Sequence, residues 1–371
     1  MRILVAPQEF KGTLTATAAA EAISRGCRRA LPGAEIDFLP FSDGGPGFID
    51  ALAAAVPSRR VPVTVQDAIG RPADAELLVL DEGRAIAIEA AQSNGLARLL
   101  PTGLDPLHAD TFGVGELIAR ALDLRPRQVT VGVGGSATTD GGAGMARALG
   151  ARFLDGAGRD LPRGGAPLAD LVRIDWHGLP SAAGVQFVVA TDVTSLLTGP
   201  TGAARVFSPQ KGASTEQVDH LETALVRYAV VLRHSLGADV ADLPGAGAAG
   251  GLAAGLVAFL GAHIVSGFDV VADATGLIDR LRMANLVVTG EGSFDDQSSR
   301  GKVTGRLIAM AQQAGKSLIV LAGRAAVTGA NVHSLAEVEP DTAKQMENAA
   351  PLLEELAWRV AATLAALPPP S

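Results

Sequence analysis

VTVGVGGSATTDGGAGMARALGA, Val129 to Ala151, joins a short β-branched run to an Ala-rich helical pattern through a turn with almost no side chain. Between Val131 and Met145 the chain places six glycines, one serine, two threonines and a single carboxylate, Asp140. Strand, glycine turn and helix in that order make one βα unit, the building block of an α/β protein. Such a turn exposes backbone N–H groups at the positive end of a helix dipole, which suits phosphate. Missing β-carbons let a ligand come close. Ser136, Thr138 and Thr139 add hydroxyls, and Asp140 is placed either to hold a hydrated cation or simply to cap the helix. A cap needs only one Asp or Ser, so the surplus of glycines and hydroxyls favours phosphate. Gly134, Gly135, Ser136, Thr138, Asp140, Gly141 and Gly142 are the candidate cofactor loop.

The same grammar recurs outward from this stretch. RILVA (2–6), EIDFLP (35–40), FVVAT (187–191), NLVVT (285–289) and SLIVLA (317–322) read as buried, largely parallel strands. Helical patterns follow most of them, for example from Thr15 and from Gly142. Several strand ends carry chemistry: PQEFKGT with Lys11, FSDGGPG with Asp43, Gly44 and Gly45, Asp192 after FVVAT, and GEGSFDDQSSRGK with Glu291, Asp295, Gln297 and Lys302. Ligands of open α/β sheets sit at the carboxyl ends of strands, so these groups are expected to converge. Each also has a bland account: Asp43 as a helix cap, Lys11 as a solvated cation, Asp295 as a turn residue.

A length of 371 residues suggests about two domains. With 48% apolar and 19% charged residues, the chain is globular and not disordered. A net charge of -8 without a basic stripe argues against nucleic-acid or anionic-membrane partners. The one cysteine, Cys27, excludes an internal disulfide and fits a reducing compartment. MRILVAPQEF is too short an apolar run for a signal peptide, so the expectation is a cytoplasmic protein. Pro244 to Phe268 has no charge and the length of a bilayer span, but it is Gly- and Ala-rich and reads as a buried helix.

No Walker A string is present, and the six histidines lack ligand spacing. Gly245 to Gly250 spells G-x-G-x-x-G with Asp269 further on, yet Pro244 and a polar stretch stand where a strand should precede it. A NAD-dependent oxidoreductase rests on that string alone. Carboxylates, a phosphate cradle and sparse lysines suit phosphoryl transfer better, with ATP and Mg²⁺ as cofactors.

FKGTLTA (10–16), SDGGPG (42–47), GELIARALD (115–123), GVGGSATTDGGAGMARALGA (132–151), TDVTSLLTGPTGAARVFSPQKGA (191–213), PGAGAAGGL (244–252) and TGEGSFDDQSSRGK (289–302) together resemble the bacterial class I glycerate kinases. The resemblance runs in order along nearly the whole chain. It implies ATP-dependent phosphorylation of D-glycerate, usually at the 2-hydroxyl, giving 2-phosphoglycerate. It also implies two α/β domains with a cleft between: a Rossmann- or flavodoxin-like domain built from both chain ends, 1–66 plus 281–371, and an inserted one, 67–280. By that analogy Asp192 is the candidate general base and Lys11 steadies substrate carboxylate or transferred phosphate. The loop from Gly134 to Gly141 would hold nucleotide phosphates. Asp43, Gly44, Gly45, Arg71, Lys211, Glu291, Asp295 and Gln297 are candidates for the substrate side. A homodimer is left open.

Three departures from the family pattern stand out. Gln8 replaces an aspartate, Pro46 replaces a glutamate, and Thr194 and Ser195 stand in a segment that usually reads D-V-x-N-P-L. Glu9 is one position from the lost charge, although strand alternation would turn it to the other face. The alternatives these changes leave are a different small hydroxy acid or an inactive ligand-binding homologue.

Overall fold

The computed structural model describes residues 1–99, 103–295, 303–327, 329 and 331–365. The chain divides into two compact units, one of Met1–Asp43, Asp50–Val56 and Phe268–Ser371, the other of Gly44–Ile49 and Pro57–Gly267.

The first unit holds a five-stranded parallel sheet of β1 (Arg2–Val5), β2 (Glu35–Phe38), β11 (Leu286–Phe294), β12 (Ser317–Ala325) and β13 (Val332–Ser334), ordered β13-β12-β11-β1-β2. Ile3, Leu4 and Val5 are fully buried, as befits a parallel strand covered on both faces. The helix Ala16–Ala30 begins where Thr15 accepts the Ala18 N–H at 3.1 Å, and Arg28 and Arg29 in its last turn face the negative end of the dipole. It packs on the helix Ala349–Ala365 at Gly26, where a β-carbon would stand 2.3 Å from the Glu354 carbonyl oxygen. Arg25 and Arg29 pair with Glu354 and Glu355 at 2.7 and 3.0 Å on the rim of that contact. Gly26→Ala would gain ~1 kcal/mol of helix propensity. Forcing the helices apart costs more, and we expect a net loss of about 1–2 kcal/mol. A lowered urea midpoint with unchanged Michaelis constants checks this; a raised midpoint would refute it.

The second unit carries a six-stranded sheet, ordered β10-β9-β6-β5-β4-β3. Its strands are β3 (Ser58–Gln66), β4 (Pro72–Leu80), β5 (Ala85–Glu89), β6 (Gln128–Gly132), β9 (Gln186–Ala190) and β10 (His263–Val265). Four are parallel; β4 and β3 run antiparallel at the edge. A small sheet of β7 (Arg152–Leu154) and β8 (Arg173–Asp175) lies outside it. Ile86, Ile88, Val129, Val131, Phe187 and Val189 form the middle of the large core. A second cluster gathers Phe153 of β7 with Leu221, Leu225 and Tyr228 of the helix Thr215–Leu236.

Gln66 to Leu80 forms the turn and second strand of a hairpin whose first strand is β3. Asp67 closes its turn by accepting from the N–H groups of Ile69 and Arg71 at 3.0 and 2.9 Å, and PADAELLVL continues as β4. Nine residue pairs hold β3 to β4, and both strands lie in the second unit's long stretch, Pro57–Gly267. The helix Gly267–Thr275, from Phe268 on, and the helix Leu277–Met283 belong to the first unit. Within Pro244 to Phe268 the helix is Ala248–Leu260, 13 residues, and most of it is buried. Among the described residues no helix is long and apolar enough to cross a membrane.

Candidate functional site

In the second unit the carboxyl ends of β6 and β9 meet the segment Gly44–Pro46. The Gly134 N–H donates to the Gly44 carbonyl at 3.0 Å. A β-carbon at Gly44 would lie 2.3 Å from the Ala190 carbonyl oxygen, one at Gly134 2.6 Å from the Gly45 Cα, and one at Gly135 2.8 Å from the Pro46 Cγ. Backbone on backbone contact is therefore what several of these glycines provide. Asp192 follows two residues after β9 and is half-buried. Its neighbours are pinned: the Thr191 N–H donates to Val265 at 3.0 Å, and the Val193 N–H to the Thr191 hydroxyl at 3.2 Å. Gly134 and Gly135 are the part of the loop that reaches solvent.

Beyond Gly135 the loop turns inward, with Ser136, Thr138, Thr139 and Asp140 all buried. One Asp140 oxygen accepts from the Thr111 N–H (2.9 Å), the Thr111 hydroxyl (2.8 Å) and the Gly144 N–H (2.9 Å); the other accepts from Gly142 at 3.2 Å. The following helix, Ala143–Ala148, has six residues, and its first donors are spent on Asp140 and on Thr111. Of the two accounts of Asp140, the structure thus builds the cap: its carboxylate is enclosed by donors of its own chain. Burial pushes its carboxyl up, nearby Asp110 does the same, and the donors pull it back.

Lys211 was expected on the substrate side but lies beneath this loop, only 2% exposed. Its ammonium donates to the Thr138 carbonyl at 2.6 Å and the Ser136 hydroxyl at 3.2 Å. Burial pulls its pKa down to about 7, against the attraction of Asp140. Asn94, fully buried, donates to the Thr138 hydroxyl at 3.1 Å, and Thr139 shares a 3.1 Å hydrogen bond with Ser208.

The G-x-G-x-x-G string packs on the other side of the same loop. Gly250 accepts the Gly141 N–H at 3.0 Å, and a β-carbon on it would be 2.0 Å from the Thr138 carbonyl oxygen. No strand precedes it, and its glycines serve close packing, so nothing in the geometry favours a dinucleotide fingerprint.

Arg71 sits at the β3–β4 turn with its side chain half exposed and its Nε held by Asp67 at 2.7 Å. Burial raises the Asp67 carboxyl, but the hydrogen bonds from Arg71 and Ile69 outweigh it and hold it below the usual range. Glu89, at the end of β5 beside Gly132, was not anticipated. It is 8% exposed and accepts the Ile49 N–H at 3.4 Å. Its signal was there to read: AIAIE is another apolar run ending in a carboxylate.

In the first unit, Lys11 is exposed and Glu9 half-buried at the end of β1. Burial raises the Glu9 carboxyl, Lys11 draws it down and Asp43 pushes it up, so these three charges share one neighbourhood. β1 ends at Val5, so strand alternation does not govern where Glu9 points. The Gln8 N–H donates to the Gly290 carbonyl at 2.8 Å, and a β-carbon on Gly292 would be 2.9 Å from the Lys11 backbone nitrogen. Glu291 is buried and Asp295 half-buried on and just after β11. Gln297 and Lys302 lie outside the described residues. Among the described residues no three His, Cys, Asp or Glu side chains are grouped to hold a metal ion.

Parallel βα units, glycine-packed strand ends and a carboxylate just past a strand define an α/β enzyme of the small-molecule kinase kind. The chain belongs to the glycerate kinase family, whose model matches residues 3–365. It is 40% identical to a glycerate kinase of Halalkalibacterium halodurans over 86% of this chain and 85% of that one. It is 40% identical to a glycerate 2-kinase of Escherichia coli over 87% and 85%. A crystal structure of a putative glycerate kinase 2 from Salmonella typhimurium superposes with a TM-score of 0.81 at 40% identity, covering 99% of this chain and 98% of that one.

Proposed function

We propose that this chain transfers the γ-phosphoryl group of ATP to the 2-hydroxyl of D-glycerate, in the cytoplasm, releasing ADP and 2-phosphoglycerate. The observation that carries the proposal is the meeting of Gly44–Pro46, Gly134–Gly135 and Asp192 at the ends of β6 and β9. There Gly134 and Gly135 reach solvent, so phosphate oxygens can approach their backbone, and a half-buried carboxylate stands two residues beyond β9. Asp192 takes the proton of the attacking hydroxyl. Lys11 answers the negative charge of substrate carboxylate or transferred phosphoryl. Mg²⁺ ordinarily needs only one or two carboxylates when phosphates complete its shell, which is compatible with the absence of a three-carboxylate cluster among the described residues. Bound with the nucleotide, it would neutralise phosphate charge.

The test is ADP release from Mg-ATP with D-glycerate, beside L-glycerate, glycolate and lactate, with the phosphorylated carbon read from proton–phosphorus coupling in the product. D-Glycerate should turn over and give the 2-phosphate. Nucleotide binding with no D-glycerate turnover would move the reading to another hydroxy acid or to an inactive binding protein. Gln8 and Pro46 would then be the first residues to restore to carboxylates.

A further inference from the structure

We infer that Lys211 is a positioning residue: its buried ammonium holds the loop Ser136–Thr138 in the shape that presents Gly134 and Gly135 to the nucleotide. The inference rests on the nucleotide reading of that loop. Lys211 is 2% exposed, and its ammonium hydrogen bonds go to the loop, to the Thr138 carbonyl at 2.6 Å and the Ser136 hydroxyl at 3.2 Å. Thr138 and Ser136 flank Ala137, so two ties from one ammonium fix three consecutive residues next to the open glycines. The same side of the loop is fastened again by Thr139 to Ser208, which precedes Lys211 in one tight turn where the Lys211 N–H donates to the Ser208 carbonyl at 3.0 Å. Opposite, the Thr138 carbonyl packs on Gly250, where a β-carbon would stand 2.0 Å from its oxygen. The Thr138 peptide is therefore clamped between a cation and a backbone.

The charge is an expensive way to do this unless it matters. A methionine of similar length would fill the space without desolvating an ammonium, which burial strongly disfavours. Asp140 is the one charged group among the described residues that acts on Lys211, and its carboxylate is already taken up by the Thr111, Gly142 and Gly144 donors. Around the lysine the other groups are the hydroxyls of Ser136 and Ser208, the Thr138 carbonyl and the apolar Leu104 packed on Gly212. Charge-assisted hydrogen bonds hold better than neutral ones, so the clamp tightens when the amine is protonated and loosens as it loses its proton around pH 7.

The experiment is calorimetric titration of Mg-ATP into wild-type protein and Lys211→Met from pH 6 to pH 9, with D-glycerate Michaelis constants measured alongside. We expect Lys211→Met to bind nucleotide at least tenfold more weakly at pH 6 and within about twofold of wild type at pH 9. The D-glycerate constant should change less than twofold. Comparing the two proteins at each pH cancels the titration of the nucleotide itself. A loss that stays constant with pH, or one that falls on D-glycerate instead, overturns the proposal. Should Lys211→Met fail to fold, Ser136→Ala removes one of the two ties, and a roughly threefold loss with the same pH trend and the same split is required. Wild-type protein that binds nucleotide but does not phosphorylate D-glycerate defeats the functional reading and leaves the clamp to be judged by the binding curves. Wild-type protein that does not bind nucleotide defeats both.

Discussion

Asp192→Asn should lower turnover with D-glycerate by ~10²-fold or more while leaving nucleotide affinity within about twofold. The amide keeps the size and one acceptor of the carboxylate but cannot accept a proton from the attacking hydroxyl. In phosphoryl transfer most of the rate comes from positioning and charge, so loss of the base removes part of the acceleration and not all of it. The backbone on either side of Asp192 has ties of its own: Thr191 and Val193 are each held through their own N–H groups. The variant should therefore fold, and its defect should appear in kcat. A drop confined to the Michaelis constant for ATP would make Asp192 a nucleotide or metal contact; unchanged turnover would remove it from the reaction.

How far the sequence speaks differs between strands and site. RILVA, FVVAT, NLVVT and SLIVLA fall on parallel strands, because buried strands are written as apolar runs; EIDFLP also falls on a parallel strand, but β2 is an edge strand with Glu35 exposed and Ile36, Asp37 and Phe38 only half-buried. The β3–β4 hairpin was harder to see. β3 is an edge strand with an alternating, half-exposed pattern and Pro62 within it, and its turn is made by the Asp67 side chain and not by a two-residue glycine turn. The Gly-rich loop was found but only half understood. Its count of glycines records close packing at both ends, Gly134 and Gly135 against Gly45 and Pro46, and Gly141 and Gly142 against Gly250 and Gly255. Which glycine packs where depends on partner segments about a hundred residues away, and no local pattern carries that. Lys211 is the clearest case. A lysine in PQKGA reads as a cation for an anion, and only the fold shows its ammonium turned into the protein.

Asp140→Ala should be the most destabilising single change in this region, by about 3–5 kcal/mol. It strands the N–H groups of Thr111, Gly142 and Gly144 and the Thr111 hydroxyl in a fully buried place. It also takes away the one influence that raises the Lys211 pKa, so the amine falls further below about 7 and its protonated form is lost earlier. The sign of the pH effect follows from that. Lys211 titrates lower in the folded chain than the ~10.4 of a free lysine, so between about pH 7 and that value the unfolded chain holds more protons and stability rises with pH. Removing Asp140 extends that rise to lower pH, and the variant should lose most stability near pH 6 and recover part of it by pH 9. The effect of Lys211→Met on stability should then differ between the wild-type and Asp140→Ala backgrounds, because in the second the amine it removes is already without its opposing charge. Urea midpoints of the two single variants and the double variant, at pH 6 and pH 9, decide the matter. Costs that simply add would mean that the two buried charges do not act on one another across the loop.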